Sequence, residues 1–534
     1  MALRVLAETG SATTNVSASV CIVGAGIAGL IAATRLARDK RLRVVVVESG
    51  LRNSDPLVSA LNEIVNSADK YRGAQQSRFR GLGGTSVLWS GKLLPLTPSD
   101  TRPRRYLGLE GWPFDIRELD RYRGEIELFL GVDGEPYEED ISSRLDPESL
   151  LAQNDIDISL RWPKRPSLRN HNLAYVFRRE IEKLDNLEIW LGATASSFDF
   201  DLSSGKIKAL TAINHGGQSL KVAADEYLLA AGTLECTRLL LLADRQSNHS
   251  ISRDCDALGR YFNDHLGLVP ATLQPLNRRL TNRTLSDRST FSSQRHLHFE
   301  LRPEIQEKNG IASAYCDLWA ELPEASSLTK SKQFLLGIKR GKLDLEYDEL
   351  KALFQDFPSL YWTAHWQWML RQKYWPPNAA LQLNIWVEQM PLWQNRLCLS
   401  DQKDALQLPK LKLEWKKTDA EEKTFQTMAR KIDQYWARHL AHICQLKWKP
   451  EVVKPDSRMV DSACDLAHPA GSTRMGTTPS TSVVDPQLRV HRMPNLSVAS
   501  ASAFPTSGSA NPTLTIMQLA MRAADNLAQR LTCR

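Results

Sequence analysis

Two residues in the C-terminal part of the chain have the types and the setting of a catalytic pair. His468 opens the run His-Pro-Ala-Gly-Ser-Thr-Arg-Met-Gly, and Asn511 follows 43 residues later, directly before Pro512. An imidazole, with an ordinary pKa of about 6.5, can take up a proton at neutral pH. An amide beside it can hydrogen-bond the same substrate oxygen and orient it. The pair is therefore suited to removing a proton from a hydroxyl group.

The sequence after Asn511 predicts a helix that begins at this residue. Pro512 fits the first helical turn, where its missing N–H is not needed. An apolar helical pattern follows at Leu514, Met517, Leu519, Met521, Ala524, Leu527 and Leu531. A helix N-terminus offers free N–H groups and partial positive charge, so this one can stabilise an anion such as the N1/O2 edge of a reduced flavin.

The N-terminal part of the chain has the pattern of a dinucleotide-binding unit. A short apolar strand leads into Gly24-x-Gly26-x-x-Gly29, a helix, and a second strand, Val44 to Val47, that ends at Glu48. The first glycine allows the turn, the second lets backbone approach a pyrophosphate, and the third lets the helix pack on the strand. Glu48 is expected to accept hydrogen bonds from ribose hydroxyls.

A second glycine-rich loop lies within residues 78–96 and contains Gly83, Gly84, Thr85 and Ser86. Backbone of this kind can lie flat against a planar ring system. A tight surface turn is the structural alternative, and the loop alone does not decide between the two.

The remaining elements predict two kinds of region. Further strands of a Rossmann-like sheet are expected at Leu187 to Leu191, Gly205 to Ile213 and Glu226 to Ala231, with a helix at Leu239 to Leu242. Residues 265–460 instead alternate extended segments with a long amphipathic helix from Asp419 to Leu440. The extended segments are His296 to Leu301, Ala380 to Glu388 and Leu411 to Trp415. We therefore expect an α/β protein with a Rossmann-like domain and a second α+β domain that contains an antiparallel sheet.

Composition excludes several classes of protein. The 534 residues carry a net charge of +7, but Lys and Arg are dispersed, which argues against a nucleic-acid partner. The eight cysteines contain no Cys-x-x-Cys pair, so neither a metal site nor a disulfide framework is expected. No apolar run is long enough to span a membrane and no leader pattern is present, which predicts a cytoplasmic protein.

Residues 359–377 are unusually aromatic. The aromatic side chains are Tyr361, Trp362, Trp366, Trp368, Tyr374 and Trp375. Trp362 and Trp366 lie one helical turn apart, and stacked aromatic rings suit a sugar face or a subunit contact. An ordinary aromatic core or interface is the alternative interpretation.

Together these motifs make the chain resemble the glucose–methanol–choline (GMC) family of flavin-dependent oxidoreductases. The landmarks are the Gly24 to Gly29 fingerprint with Glu48, the Gly83 to Ser86 loop, Gly111-Trp112-Pro113, Ala230 to Thr233, Leu258-Gly259-Arg260, Asp264-His265, Glu388-Gln389 with Pro391, and the C-terminal stretch. The sequence from Phe504 to Pro512 is most similar to that of the branch containing pyranose oxidases and bacterial sugar dehydrogenases.

The resemblance implies a fold, a cofactor and a site. It implies a discontinuous FAD-binding domain (17–100, 187–265 and 461–534) and a discontinuous substrate-binding domain (101–186 and 266–460). His468 and Asn511 match the catalytic pair of the family. The residues expected to contact FAD are Gly24, Gly26, Gly29, Glu48, Gly83, Gly84, Thr85, Ser86, Ala231, Gly232, Ala501, Ser502, Pro512 and Thr513.

Two positions depart from the pattern of the relatives. Leu88 stands where flavin-linking members place histidine, which implies that FAD is held non-covalently. Ser500 stands where many relatives have aspartate, which leaves the pyrophosphate contact there open.

The predicted activity is oxidation of a CH–OH group of a sugar, glycoside, aminosugar or related polyol. The expected partners are a small hydroxylated substrate and an electron acceptor, which can be oxygen, a quinone or a carrier protein; an oligomer is compatible with the sequence. The alternatives are a non-sugar alcohol substrate, a lyase or decarboxylase without net oxidation, and a non-catalytic flavin-binding protein.

Overall fold

Two large β-sheets organise the molecule. The computed structural model describes residues 3–66, 71–146, 150–323, 329, 357–454 and 456–533. The strands are β1 Leu3–Val5, β2 Thr13–Val23, β3 Val44–Val47, β4 Val65–Asn66, β5 Ile158–Arg161, β6 Lys164–Arg165, β7 Leu187–Leu191, β8 Thr194–Asp201, β9 Lys206–Ile213, β10 Ser219–Leu229, β11 His265–Pro275, β12 Arg288–Ser289, β13 Gln294–Arg295, β14 His298–Leu301, β15 Ala314–Glu321, β16 Ala380–Glu388, β17 Arg396–Lys403, β18 Pro409–Glu414, β19 Cys444–Trp448, β20 Cys464–Asp465 and β21 Leu496–Val498.

Helices cover these sheets and cap their ends. The α-helices are α1 Ile27–Ala37, α2 Pro56–Ala60, α3 Gly73–Gln76, α4 Pro98–Thr101, α5 Asp120–Leu130, α6 Ser142–Leu145, α7 Leu173–Val176, α8 Arg178–Lys183, α9 Gly232–Gln246, α10 Arg278–Leu285, α11 Pro303–Asn309, α12 Phe357–Met369, α13 Asp419–His439, α14 Pro450–Val453, α15 Met459–Ser462 and α16 Thr513–Thr532. Short 3₁₀ turns lie at Leu6–Glu8, Gly84–Val87, Arg105–Leu107, Ile116–Leu119, Glu139–Ile141, Leu168–Asn170 and Ala501–Ala503.

The first sheet has the strand order β1-β7-β3-β2-β10-β9-β8, and β21 pairs with β10. In this order, each neighbouring pair from β1 through β7, β3 and β2 to β10 is parallel, and β10 also pairs parallel with β21. The pairs β10–β9 and β9–β8 are antiparallel. The four valines of β3 are all buried, as expected for a parallel strand covered on both faces. Helix α1 connects β2 to β3, and α16 lies against α1.

The second sheet has the order β19-β11-β16-β15-β14-β5, with β20 paired to β11. One face is apolar: Phe299, Cys316 and Ile385 are cross-strand neighbours, fully buried in the same cluster as side chains of α13. The alternate residues of the same strands, His298, Asp317 and Asn384, form a second cross-strand row that is polar. Because strand residues alternate between faces, this polar row points away from the α13 core.

The α/β class, the Rossmann-like sheet and the antiparallel sheet are confirmed. Several boundaries differ from the predictions. The strand predicted at 296–301 begins two residues later, as β14, and the helix predicted at 239–242 extends over the whole of α9. Helix α16 begins at Thr513, with Pro512 as its N-cap.

The division into two discontinuous domains stays a prediction. A small third sheet crosses the predicted boundary, because β4, within 17–100, pairs with β18, within 266–460. Within the described ranges, no helix combines the length and apolar character that crossing a bilayer requires.

Candidate active site

A cavity of about 610 Å³ lies where both glycine loops, the carboxyl ends of β2, β3 and β10, and the start of α16 meet. Parallel strands that end at one edge of a sheet bring their following loops together, and ligands bind in this crevice in open α/β sheets. Eleven predicted cofactor or catalytic residues therefore lie in its wall. They are Gly24, Gly26, Glu48, Gly84, Thr85, Ala231, Gly232, His468, Asn511, Pro512 and Thr513.

The remaining predicted contacts are adjacent to the cavity but do not line it. They are Gly29, Gly83, Ser86, Ala501 and Ser502. A side chain on Gly29 would place its Cβ 1.8 Å from the Gly24 carbonyl oxygen, so this glycine allows the close packing of α1 on the loop. Ser86 Oγ donates to the Gly83 carbonyl and shapes the second loop from within.

The two glycine loops approach each other across the cavity. A Cβ on Gly84 would lie 2.6 Å from the Gly26 Cα, and Gly84 has a positive φ of 52°. A hydrogen bond of 2.9 Å from the Gly83 N–H to the Ala25 carbonyl holds the loops together. Bare backbone on both sides permits this contact, which a side chain on Gly84 would prevent.

Glu48 lies at the end of β3 with its carboxylate turned to the first glycine loop. Its Oε2 accepts from the Ala25 N–H at 2.8 Å and its Oε1 from the Gly50 N–H at 2.9 Å. Burial raises the pKa of this carboxyl above its ordinary value, and both amide hydrogen bonds oppose that shift. Each oxygen keeps a further lone pair, so the carboxylate can also accept from a bound hydroxyl group.

His468 and Asn511 are brought together at the other end of the cavity. Asn511 Nδ2 lies 3.1 Å from His468 Nε2, and the buried Asn511 Oδ1 has no hydrogen-bond partner in the described part of the chain. His468 Nδ1 lies 3.0 Å from Nδ1 of His265, a residue that is only 2% exposed. The imidazole of His468 thus has one nitrogen turned inward and one turned to the cavity and Asn511.

Desolvation, the neighbouring His265 and the ammonium of Lys92 lower the pKa of His468 well below its ordinary value. The ring borders the cavity and is partly exposed, so its desolvation is greatest when the cavity is filled. A depressed pKa keeps the imidazole neutral, which is the form that accepts a proton.

Asp264 fixes the backbone around both histidines. Its Oδ1 accepts from the N–H of His265 at 2.7 Å and of His468 at 2.9 Å, and its Oδ2 accepts from the Tyr71 hydroxyl at 2.8 Å. Burial and the nearby Asp465 raise the pKa of Asp264 to about 7. In the sequence, Asp264 and His265 stand out only as a landmark of the family. Their adjacency as an Asp-His pair is the one sequence signal for a role at the site.

Lys92 is a further cavity residue that the sequence did not reveal. It is 6% exposed, and its Nζ lies 2.7 Å from Asp317 Oδ2 on the polar face of the second sheet. Asp317 also accepts from the indole N–H groups of Trp319 at 3.1 Å and Trp386 at 2.7 Å. The cavity wall beside His468 therefore offers an ammonium backed by a carboxylate and two indoles.

The same face brings His296, His298 and Asp317 close together, with potential ligand atoms within 4.8 Å of one another. This grouping has the composition of a metal site. However, the ammonium of Lys92 already supplies a positive charge to Asp317, and His296 Nε2 lies 3.0 Å from the same oxygen. The protein's own cation thus takes the position that a metal ion would need.

The aromatic stretch lies elsewhere. Trp366 and Trp375 are buried in the protein, whereas Trp368 is 82% exposed on α12. None of the described residues of this stretch lines the cavity. The expectation that these rings stack on a substrate is not supported by their position.

Comparison with known proteins matches two parts of the chain to family models. Residues 391–520 match the model of the family described as GMC oxidoreductase, and residues 22–54 match an NAD(P)-binding Rossmann-like domain. The chain is 24% identical to the fructose dehydrogenase large subunit of Gluconobacter japonicus, over 96% of this chain and 98% of that protein.

The match extends from the nucleotide-binding end to the segment that contains His468 and Asn511. The C-terminal part of the chain therefore matches the GMC oxidoreductase family. Paromamine 6'-oxidase of Streptomyces fradiae is 23% identical to this chain, over 96% of the chain and 92% of the relative. The solved structure of formate oxidase from Aspergillus oryzae, described in connection with FAD modification, has the same fold (TM-score 0.57, 17% identity, covering 96% and 98% of the two chains). The family match and these full-length relatives identify the protein as an oxidoreductase.

Replacing Glu48 with alanine is expected to weaken FAD binding. The substitution removes the carboxylate that can accept from ribose hydroxyls and frees the Ala25 and Gly50 amides that it now orders. A hydrogen bond to a charged group corresponds to about a tenfold or larger change in affinity. Apoprotein is titrated with FAD and the dissociation constant read from flavin fluorescence.

Glu182→Ala, at an exposed position of α8, serves as the matched control and should bind FAD as the wild type does. Equal FAD affinity of the Glu48→Ala variant and the wild type would exclude the assigned role.

Proposed function

We propose that this enzyme oxidises a CH–OH group of a sugar, glycoside, aminosugar or related polyol to a carbonyl, with FAD held non-covalently. The observation that carries the proposal is the 3.1 Å pairing of His468 and Asn511 at the cavity shared by both glycine loops. A general base, an orienting amide and a dinucleotide site in one cavity are what alcohol oxidation needs.

The residues present fit FAD. The bare backbone of Gly24, Gly26 and Gly84 in the cavity wall lets a phosphate chain or flat ring approach closely, and the carboxylate of Glu48 can accept from a ribose hydroxyl. Helix α16 starts at the cavity, so its N–H groups can stabilise negative charge there. Leu88 lines the cavity with an aliphatic side chain that cannot form a flavin linkage.

Bound FAD supplies the acceptor for a hydride from the substrate carbon. The protein supplies the proton acceptor and the orientation. The substrate hydroxyl donates its proton to His468 Nε2, while Asn511 Nδ2 hydrogen-bonds the same oxygen and directs the C–H bond. One proton and one hydride leave the CH–OH group, which becomes a carbonyl. A positioned base of this kind contributes about 10²- to 10⁴-fold.

The cavity wall and the relatives support a hydroxyl-rich substrate. Lys92 lines the cavity and is held by Asp317, so its ammonium can donate to a ring hydroxyl, while the indoles of Trp319 and Trp386 hold Asp317 in place behind it. Alternating hydroxyls and C–H faces make sugars complementary to such a combination. Relatives with full-length similarity are a fructose dehydrogenase, a 6'''-hydroxyparomomycin C oxidase and a paromamine 6'-oxidase.

Two other activities serve as the alternatives, a non-sugar alcohol and a lyase or decarboxylase reaction without net oxidation. The pairing of His468 Nε2 with the Asn511 amide at the cavity favours oxidation, because a hydroxyl group bound there would meet both a proton acceptor and a hydrogen-bond donor.

A panel of sugars, glycosides, aminosugars and polyols tests the proposal. Each compound is mixed anaerobically with FAD-loaded enzyme, and the products are weighed by mass spectrometry. We expect flavin bleaching and a product two hydrogens lighter with at least one hydroxyl-rich compound. Turnover confined to long aliphatic or sterol alcohols would refute the substrate class, and turnover without loss of two hydrogens would indicate the lyase alternative.

His468→Ala should slow flavin reduction by about two to four orders of magnitude, since it removes the base. Asn511→Ala should slow it less, since a proton acceptor remains. Anaerobic stopped-flow absorbance measures both rate constants.

Before rates are compared, each variant must show oxidised flavin at wild-type occupancy. Acid precipitation should release the flavin from each, because Leu88 offers no linkage. If His468→Ala reduces its flavin at the wild-type rate, the histidine is structural.

The pH dependence of flavin reduction follows from the lowered pKa of His468. Its neutral form persists as pH falls through about 6.5, so the reduction rate constant should show no loss from this group between about pH 8 and pH 6. In the unfolded chain the imidazole does bind a proton near pH 6.5, so folding stability should decrease below that pH.

Asp264 provides the control, because its pKa is raised to about 7. An inflection that disappears in Asp264→Asn belongs to that carboxyl. A loss of rate centred near pH 6.5 that persists in Asp264→Asn contradicts the assignment to a depressed His468.

A further inference from the structure

A continuous line of hydrogen bonds leads from a backbone carbonyl to the catalytic pair. His265 Nε2 lies 2.9 Å from the Gly508 carbonyl oxygen, and His265 Nδ1 lies 3.0 Å from His468 Nδ1. His468 Nε2 lies 3.1 Å from Asn511 Nδ2. Both imidazoles are held edge to face, with an angle of 84° between the rings.

The chemistry of the carbonyl gives this line a direction. A carbonyl oxygen only accepts, so His265 Nε2 must carry a proton. Burial lowers the pKa of His265 and keeps the ring neutral, which leaves Nδ1 with a lone pair. His468 Nδ1 must then donate, so its own proton lies on Nδ1. The remaining nitrogen, His468 Nε2, is left unprotonated and faces Asn511 and the cavity.

We propose that His265 is a positioning residue that fixes the tautomer of His468, so that the nitrogen facing the substrate is the one with a free lone pair. This inference rests on the proposed function, in which His468 Nε2 accepts the hydroxyl proton. In the other neutral tautomer Nε2–H would face the substrate hydroxyl and the Asn511 N–H groups, and no proton could be accepted. Which nitrogen of a histidine carries its proton is set by the hydrogen bond that the other nitrogen makes.

The backbone of Gly508, whose carbonyl accepts the hydrogen bond from His265, is itself held in place. The Gly508 N–H donates to Glu388 Oε1 at 2.9 Å, and Arg104 binds both oxygens of that carboxylate. Arg104 and Glu388 have fully buried side chains. A Cβ at Gly508 would meet Asp100 and Leu96 at 2.8 and 2.7 Å, so glycine is required for this approach.

The charges around His265 favour the neutral state needed here. The negative charges of Glu388 and Asp100 act to raise the pKa of His265. Arg104 neutralises Glu388 through two hydrogen bonds and so opposes this effect. On the opposite side, Lys92 lowers the pKa of the neighbouring His468. The carboxylate oxygens of Asp264 accept hydrogen bonds from backbone N–H groups and from the Tyr71 hydroxyl. Within the described residues, Asp264 makes no hydrogen bond to an imidazole nitrogen.

Three variants separate this role from mere packing. His265→Asn places an amide oxygen near the position of Nδ1 and can accept from His468 Nδ1–H. His265→Leu and His265→Phe fill the space but offer no acceptor. We expect the limiting rate constant of flavin reduction to fall about tenfold or more in the two apolar variants, and to be largely restored in His265→Asn. The apparent dissociation constant of the substrate should change little in all three, because His265 does not touch substrate.

The measurement is anaerobic stopped-flow reduction at several substrate concentrations, using full-length, FAD-loaded protein with matched flavin occupancy. Two apolar residues of different shape are used so that one can replace the other if it fails to fold. Wild-type rates in the apolar variant, or an Asn variant as slow as the apolar ones, would overturn the proposal. His468→Ala, measured alongside, distinguishes the two levels: if it too reduces flavin at the wild-type rate, the proposed function itself has failed.

Discussion

The active-site arrangement depends on one buried carboxylate. Asp264 Oδ1 accepts hydrogen bonds from the backbone N–H groups of His265 and His468, which come from segments about 200 residues apart. The hydroxyl of Tyr71 binds its other oxygen, adding a third part of the chain. Because backbone is fixed in this way, both imidazoles meet with little freedom, and the chemistry of the site follows from that placement.

Two kinds of sheet then contribute opposite properties to one cavity. The parallel sheet supplies loops of bare backbone, which suit a phosphate chain and a flat ring system. The antiparallel sheet supplies a buried polar face, where Lys92, Asp317, Trp319 and Trp386 are fixed to one another.

Local sequence signals indicate the part of the cavity beside the parallel sheet, whereas no local signal indicates the polar face of the antiparallel sheet. Glycine spacing followed by Glu48 carries its own geometric meaning, and the Asn511–Pro512 junction marks a helix start; both are local signals. Lys92 and Asp317 are separated by 225 residues and meet only through strand pairing, which a single sequence does not encode locally. The aromatic residues 361–375 left a substrate contact and an ordinary core open for the same reason, since side-chain type alone does not show which surface a helix will face.

Parts of the cofactor sheet are separated widely along the chain, and this constrains when the enzyme can become functional during synthesis. Strand β10 pairs with β21, and α1 packs against α16. Both β21 and α16 are translated only after residue 495, so these contacts form late. Most of the antiparallel sheet leaves the ribosome earlier and must persist beside an unfinished neighbour. Such an intermediate exposes apolar surface of β10 and α1, so chaperone protection and the supply of FAD should matter most in the final stage of translation.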